Sequence, residues 1–443
     1  MPATPSRAPR QHRAERGERV EGGLSGSFGV ATCAPLPAAT LWRIITTVAL
    51  AVVVALSTFV TPAFADTATF TPTVSTATIG ADLAWADGLT GAGVRVAVVD
   101  TGIAAHPDLD GRVVARLDLS GGQSGALDDH GHGTFVAGLV AGGGSHPVGV
   151  APEAELIDVR IADDEGRTSL PQVLGALHAL AVHHAELGTD VVLLALGSEW
   201  PGQRDPLDAA LQRLWDLGIV VVVPAGNDGP DEGTVATPGR NPAAVTVGAV
   251  DDRGTADRAD DEVPAWSSAG STGADAPKPD LLAPGVSVVS LRNAGSDIDR
   301  AFPEARFGDD RFRGTGTSMS AAVAAGAVAL LLDADPAMTP DEVKARLTAG
   351  AVPAPDGAPA AQVGHGVLDV PAALAAVPPA TAAAAGSNRP APRPGGVAPR
   401  GPGDLDAAAW TWQAWTWQAW TWQAWTWKAW TWNAWTWTAW TWR

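Results

Sequence analysis

Five short runs dominated by Val, Ile and Leu recur along the middle of the chain: Val94–Val99, Glu155–Ile161, Val191–Leu196, Ile219–Val223 and Ala244–Val250. Helical patterns separate or follow them, at Leu170–Leu187, Pro206–Leu217, Ser318–Leu332 and Pro340–Leu347. Strands this uniformly apolar leave no face for water, so both sides of each must be covered. Alternation with helices supplies that cover and predicts an α/β fold, a parallel β-sheet with helices on both faces. The pattern bounds the main domain at residues 79–377. In such a fold ligands sit beyond the carboxyl ends of the strands.

The flanking segments differ in kind. Residues 1–65 read as a basic leader and signal peptide, with six Arg and three Glu up to Arg43 and an uncharged run from Ile44 to Ala65. The run ends in Thr61-Pro62-Ala63-Phe64-Ala65, a small-x-small pattern that predicts cleavage before Asp66. The alternative is an uncleaved anchor, because the run is long enough to span a bilayer. The expected location is therefore secreted or extracellular surface-associated, or membrane-anchored by residues 44–65 if the signal stays. Residues 66–78 form a short N-terminal extension. Pro378–Ala408, rich in Pro, Ala and Gly, reads as a linker.

Residues 409–443 repeat Ala-Trp-Thr-Trp-Gln seven times with small changes and hold fourteen of the 19 Trp. A period of five fits neither helix nor strand over any length. Flat amphipathic rings suit contact with a cell surface or a polysaccharide. A small β-solenoid and an unselected low-complexity expansion are the alternatives. Charge excludes another class of partner. With 29 Lys and Arg against 48 Asp and Glu, the formal charge is −19, and no basic face is available for nucleic acid. The single cysteine, Cys33, excludes a disulfide framework and lies before the expected cut.

Within 79–377, three segments pair a reactive side chain with small neighbours. Val98-Val99-Asp100-Thr101-Gly102 puts an acid at the end of a buried strand. Asp129-His130-Gly131-His132-Gly133-Thr134 puts a histidine at the opening of a Gly- and Ala-rich helix. Gly316-Thr317-Ser318-Met319-Ser320 puts a hydroxyl at a helix N-terminus, where backbone N–H groups favour developing negative charge. Asp100, His132 and Ser318 are the parts of an acid–base–nucleophile relay. A fourth segment, Pro224-Ala225-Gly226-Asn227, places an amide at a strand end where it could donate to an oxyanion.

In this order the segments resemble the subtilisin-like serine proteases, whose relay residues run Asp, His, Ser. Gly149-Val150-Ala151-Pro152, Trp266-Ser267-Ser268-Ala269-Gly270, Pro279-Asp280-Leu281-Leu282-Ala283-Pro284-Gly285 and Gly364-His365-Gly366 extend the resemblance. It implies a subtilisin-like fold and a serine endopeptidase acting on protein or peptide substrates through an acyl-enzyme on Ser318. Asp100 and His132 would complete the charge relay, with Asn227 in the oxyanion hole. Ala195, Leu196 and Gly197 would be an edge strand that pairs with substrate. Ala225 and Gly226 would adjoin the bound peptide, and Ala236 would floor a small apolar pocket.

Departures from the family pattern matter too. Ala322 stands where a proline is usual, which predicts a looser helix start. Gly142–Val148 lacks the Asn-rich calcium ligands of some relatives, so no cofactor is required on this reading. A structural calcium stays open, with no site identifiable. His130 and His132 could be read as a metal pair, although His-x-His on a Gly-rich turn more often flanks a relay. His178, His183 and His184 read as a solvated helix face. Asp228, Asp231 and Glu232 read either as a selector for basic side chains or as part of the general acidity.

Overall fold

The computed structural model describes residues 73–121, 125, 127–144, 146–198, 205–270, 277–377 and the pair 403–404. The leader, the signal segment, most of the linker and the Trp repeat lie outside the described residues.

Seven parallel strands form one sheet: β1 (Arg95–Asp100), β2 (Val113–Asp118), β3 (Glu155–Arg160), β4 (Val191–Leu194), β5 (Val220–Pro224), β6 (Val245–Val250) and β7 (Leu281–Pro284). Their spatial order is β2-β3-β1-β4-β5-β6-β7, and Gly403–Asp404 adds a two-residue parallel strand outside β2. All five predicted strands are present, with ends shifted by at most two residues. The sequence reading missed β2 and β7. β2 lies next to the sheet's edge with mostly half-buried residues, so its Arg116 and Asp118 break the all-apolar signature. β7 has only four residues and ends in Pro284.

Side chains alternate across the sheet with period two, as strand geometry requires. Val96 and Val98 of β1 face one core, together with Leu193, Val222 and Val247. Two buried helices fill that side: α1 (His132–Ala141) and, later in the chain, the helix Thr317–Ala334. Ala97 and Val99 face the other core, covered by α2 (Leu170–Leu187) and α3 (Asp208–Asp216). The helix Thr317–Ala334, α4 hereafter, is long and apolar enough to cross a membrane by length and composition, yet 89% of it is buried inside this domain. It is a core helix. Ala322, the position where a proline was expected, is fully buried within it. The exposed and half-buried histidines of α2 lie on its polar face, His183 near Glu186 and His184 bonded to the Ala181 carbonyl.

Connectivity determines where a site can form. From β1 the chain steps outward to β2, returns to β3 on one flank of β1, and then crosses to β4 on the other flank. From β4 it proceeds outward through β5, β6 and β7. The reversal opens a crevice at the carboxyl ends of β1 and β4, the general position for ligands in open α/β sheets. A separate antiparallel sheet of β8 (Val288–Leu291), β9 (Arg306–Phe307) and β10 (Arg311–Gly314) precedes α4.

Candidate active site

Asp100 is the last residue of β1 and is completely buried. Its Oδ1 accepts the Thr101 N–H at 2.7 Å. His132 opens α1 immediately after Gly131, whose φ of 99° is a left-handed conformation that favours glycine. A Cβ on Gly131 would also lie 2.4 Å from Ser296 Oγ, so the entry to the helix has no room for a side chain. The helix itself approaches β1 closely, since a Cβ on Gly133 would lie 2.1 Å from the Gly102 carbonyl oxygen. These close fits bring His132 Nδ1 to 2.8 Å and 2.9 Å from the two Asp100 oxygens.

Ser318 is the second residue of α4 and is buried, as is His132. Its hydroxyl donates to the Ala195 carbonyl oxygen at 2.8 Å, which ties the start of α4 to the end of β4 across the crevice. At this position its own N–H has no carbonyl four residues back within the helix. Asn227 follows β5, and its Oδ1 accepts from both the N–H and the hydroxyl of Thr317, each at 3.0 Å. Thr317 Oγ1 in turn accepts the Gly226 N–H at 3.1 Å. Two acceptor contacts on Oδ1 orient the amide, so its NH₂ projects away from Thr317.

The predicted edge strand requires a correction. β4 lies in the middle of the sheet and ends at Leu194, so Ala195-Leu196-Gly197 is the continuation of a central strand beyond the ladder. Ser198 then pairs antiparallel with Thr237, through bonds of 3.0 Å and 2.9 Å. Strand order is a long-range property that a local motif does not carry.

Several of the remaining expected positions lie against one another. Ala236 N–H donates to the Ala225 carbonyl at 2.7 Å. Side-chain carbons built on Gly197 and Gly226 would lie 3.2 Å and 2.9 Å from Ala236 Cβ, and the latter also 2.9 Å from Ser268 Oγ. Gly197, Ala225 and Gly226 thus pack against Ala236, and Ala195 meets Ser318 through its carbonyl. Asp228, Asp231 and Glu232 are exposed beyond it.

His130 is held beside the site, its ring centroid 6.4 Å from that of His132. Burial, and then the neighbouring His132, lower its pKa below the usual histidine value. Among the described residues no three His, Cys, Asp or Glu side chains gather as a metal-binding group.

Three groups close to Asp100, His132 and Ser318 escaped the sequence reading. Thr101 and Thr317 lie inside the quoted motifs but carry bonds that only the folded geometry reveals. Asp128, four residues before His132, is a buried carboxylate bonded to both flanks of that histidine. A buried Asp in an otherwise polar turn has no signature in a single sequence.

A model described as the subtilase family matches residues 91–366. Serine protease AprX of Bacillus subtilis (strain 168) is 42% identical over 273 residues, which are 59% of this chain and 62% of that protein. Subtilisin DY of Bacillus licheniformis is 32% identical over 300 residues, 67% of this chain and 96% of that protein. Subtilisin Savinase of Lederbergia lenta is 32% identical over 262 residues, 59% of this chain and 84% of that protein.

Proposed function

The chain belongs to the subtilase family of serine endopeptidases, and on that premise we propose that it hydrolyses peptide bonds through an Asp100–His132–Ser318 relay and an acyl-enzyme on Ser318. The observation that carries the reading is the seating of His132 Nδ1 against both oxygens of buried Asp100, with Ser318 at the helix start across the same crevice.

The carboxylate fixes the imidazole with its proton on Nδ1, which leaves Nε2 as the base. Rotation of the Ser318 hydroxyl from the Ala195 carbonyl toward Nε2 delivers its proton as Oγ attacks the substrate carbonyl. His132 then protonates the leaving amine. Water repeats the sequence on the acyl-enzyme and releases Ser318. The developing oxyanion is met by the Ser318 N–H and the Asn227 amide, aimed by its two Thr317 contacts. The substrate's side chain before the cut enters the space floored by Ala236, whose Ala and Gly walls favour small or medium apolar groups. Backbone groups at Ala195–Gly197 pair with the peptide.

Treatment with a phosphonofluoridate yields one adduct, mapped to Ser318, and Ser318→Ala lowers casein hydrolysis by at least about 10⁴-fold. Full activity in Ser318→Ala refutes the mechanism. Export follows from the segment ending at Ala65, and N-terminal sequencing of the mature protein tests it. An N-terminus at Asp66 supports cleavage; one upstream of Ile44 refutes it. The Trp repeat is assigned to retention at a cell surface or polysaccharide. Deleting residues 409–443 then leaves soluble peptidase activity intact and abolishes retention.

A further inference from the structure

We propose that Asp128 and Thr101 are positioning residues that hold Asp100 and His132 in one frame. This rests on the relay proposed above. Asp128 is 4% exposed and accepts four hydrogen bonds. Its Oδ1 receives the Thr101 hydroxyl at 2.8 Å and the Gly131 N–H at 2.7 Å. Its Oδ2 receives the N–H and the hydroxyl of Thr134 at 3.0 Å and 2.5 Å. Thr101 Oγ1, having given its proton to Asp128, accepts the Gly133 N–H at 2.8 Å.

The consequence is specific to His132. Of its two peptide neighbours, Gly131 is bonded to Asp128 directly and Gly133 through Thr101. The same Thr101 donates its N–H to Asp100 Oδ1, the oxygen that also contacts His132 Nδ1 at 2.8 Å. One carboxylate and one hydroxyl therefore connect the end of β1 to the first turn of α1, without either touching the imidazole. Only an ionised carboxylate can accept all four donors, since an amide in its place would turn an NH₂ against two of them.

Asp128 is itself braced from outside. Asn293 Nδ2 donates to the Asp128 carbonyl at 2.5 Å, and the N–H groups of Asp297 and Ile298 donate to the carbonyls of Asp129 and His130 at 2.9 Å and 3.1 Å. That bracing segment is organised by Asp299, which pairs with Arg292 and Arg306. These contacts hold its carboxyl well below the usual range, the Arg292 hydrogen bond contributing most.

The decisive comparison is Thr101→Val with Thr101→Ser in the full-length enzyme. Valine keeps the buried volume and removes the hydroxyl that joins Asp128 to Gly133; serine restores it. A displacement of about 1 Å between reacting groups costs on the order of 10²-fold in rate. Thr101→Val is expected to lower kcat by about 10- to 100-fold with KM changed by less than about 2-fold. Thr101→Ser is expected to restore kcat to within about 5-fold of the parent. The low-field proton resonance of the Asp100–His132 hydrogen bond should shift in the valine variant and return in the serine variant. A role in folding alone would lower Tm while leaving kcat per folded molecule and that resonance unchanged. Asp128→Asn should reproduce the valine phenotype; if it does not fold, the Thr101 pair still decides.

Wild-type kcat in folded Thr101→Val, or equal impairment of both Thr101 variants, overturns the proposal. Full activity in Ser318→Ala would instead overturn the relay itself, so the two failures are distinguishable.

Discussion

Asp158 offers a test of how burial and ion pairing compete beside the relay. It lies on β3 opposite Val98 of β1, with its side chain 5% exposed. Its Oδ2 pairs with Arg116 and accepts the Ile103 N–H at 3.1 Å, whereas its buried Oδ1 has no hydrogen-bond partner. An ion pair alone would pull the carboxyl down, yet burial dominates and pushes it up to about 7, with Arg116 opposing. The physical reason is asymmetric exposure. Arg116 is 21% exposed and its charge is partly screened, while the carboxylate loses nearly all its hydration.

The sign follows from linkage. Between an unfolded value of 3.8 and a folded value of about 7, the native protein holds a proton that the unfolded chain has released. Stability from this group is therefore fully present below pH 3.8 and is lost as pH rises toward 7. The rise from 3.8 to about 7 corresponds to about 4 kcal/mol in total, of which about 3 kcal/mol falls between pH 4.5 and pH 8.

Asp158→Asn stays neutral and can still accept the Ile103 N–H through its amide oxygen. Its stability relative to the parent should improve by about 3 kcal/mol across that interval. Denaturant unfolding of both chains, each carrying Ser318→Ala to prevent autolysis, measures the difference at each pH. A difference that stays constant from pH 4.5 to pH 8 refutes the reasoning, because the other carboxylates cancel in the comparison. A change of opposite sign would show that the Arg116 pair outweighs burial.

Two further outcomes test the site directly. Asn227→Ala removes the proposed oxyanion donor and should lower kcat by about 100- to 1000-fold with little change in KM, the loss known for a single such donor in subtilisin. Kinetics on a peptide anilide check this, and a KM effect without a kcat effect counts against the assignment. Gly226→Ala places a carbon 2.9 Å from both Ala236 Cβ and Ser268 Oγ at a φ of 106°. It should cost roughly 1–3 kcal/mol of stability through backbone strain. It should also reduce kcat/KM most for peptides with the largest residue before the cut, and equal losses across a size series would remove Gly226 from the pocket.

Much of the site was legible because each piece is local. Asp100 ends a strand, His132 and Ser318 lie at helix starts and Asn227 follows a strand, and those boundaries are written in runs of Val followed by Gly and small residues. The Asn227 contacts were only half legible. Asn227 stood out just after an apolar run, whereas Thr317, which bonds its amide from 90 residues away, did not. The segment Ala195–Gly197 was picked out as a motif and misplaced as an edge, because neighbours across a sheet leave no mark in a strand's own residues. Asp128 and Asp158 were passed over for a related reason. A buried carboxylate is permitted only by the donors that surround it, and those donors come from other parts of the chain.

The primary structure alone supplies the candidate reactive residues and their order along the chain. Apolar runs demand a doubly covered parallel sheet, and the three reactive side chains fall at ends of its elements in the sequence Asp, His, Ser. It also separates an acidic main domain from a basic leader and a Trp-rich repeat. Distances belong to the folded molecule. The reversal of strand order at β1 and β4 opens the crevice, and the close approach of Gly133 to Gly102 sets the separation of Asp100 and His132. Periodicity and composition act over a few residues, whereas catalytic geometry depends on groups separated by tens to hundreds of residues. Packing alone brings them together.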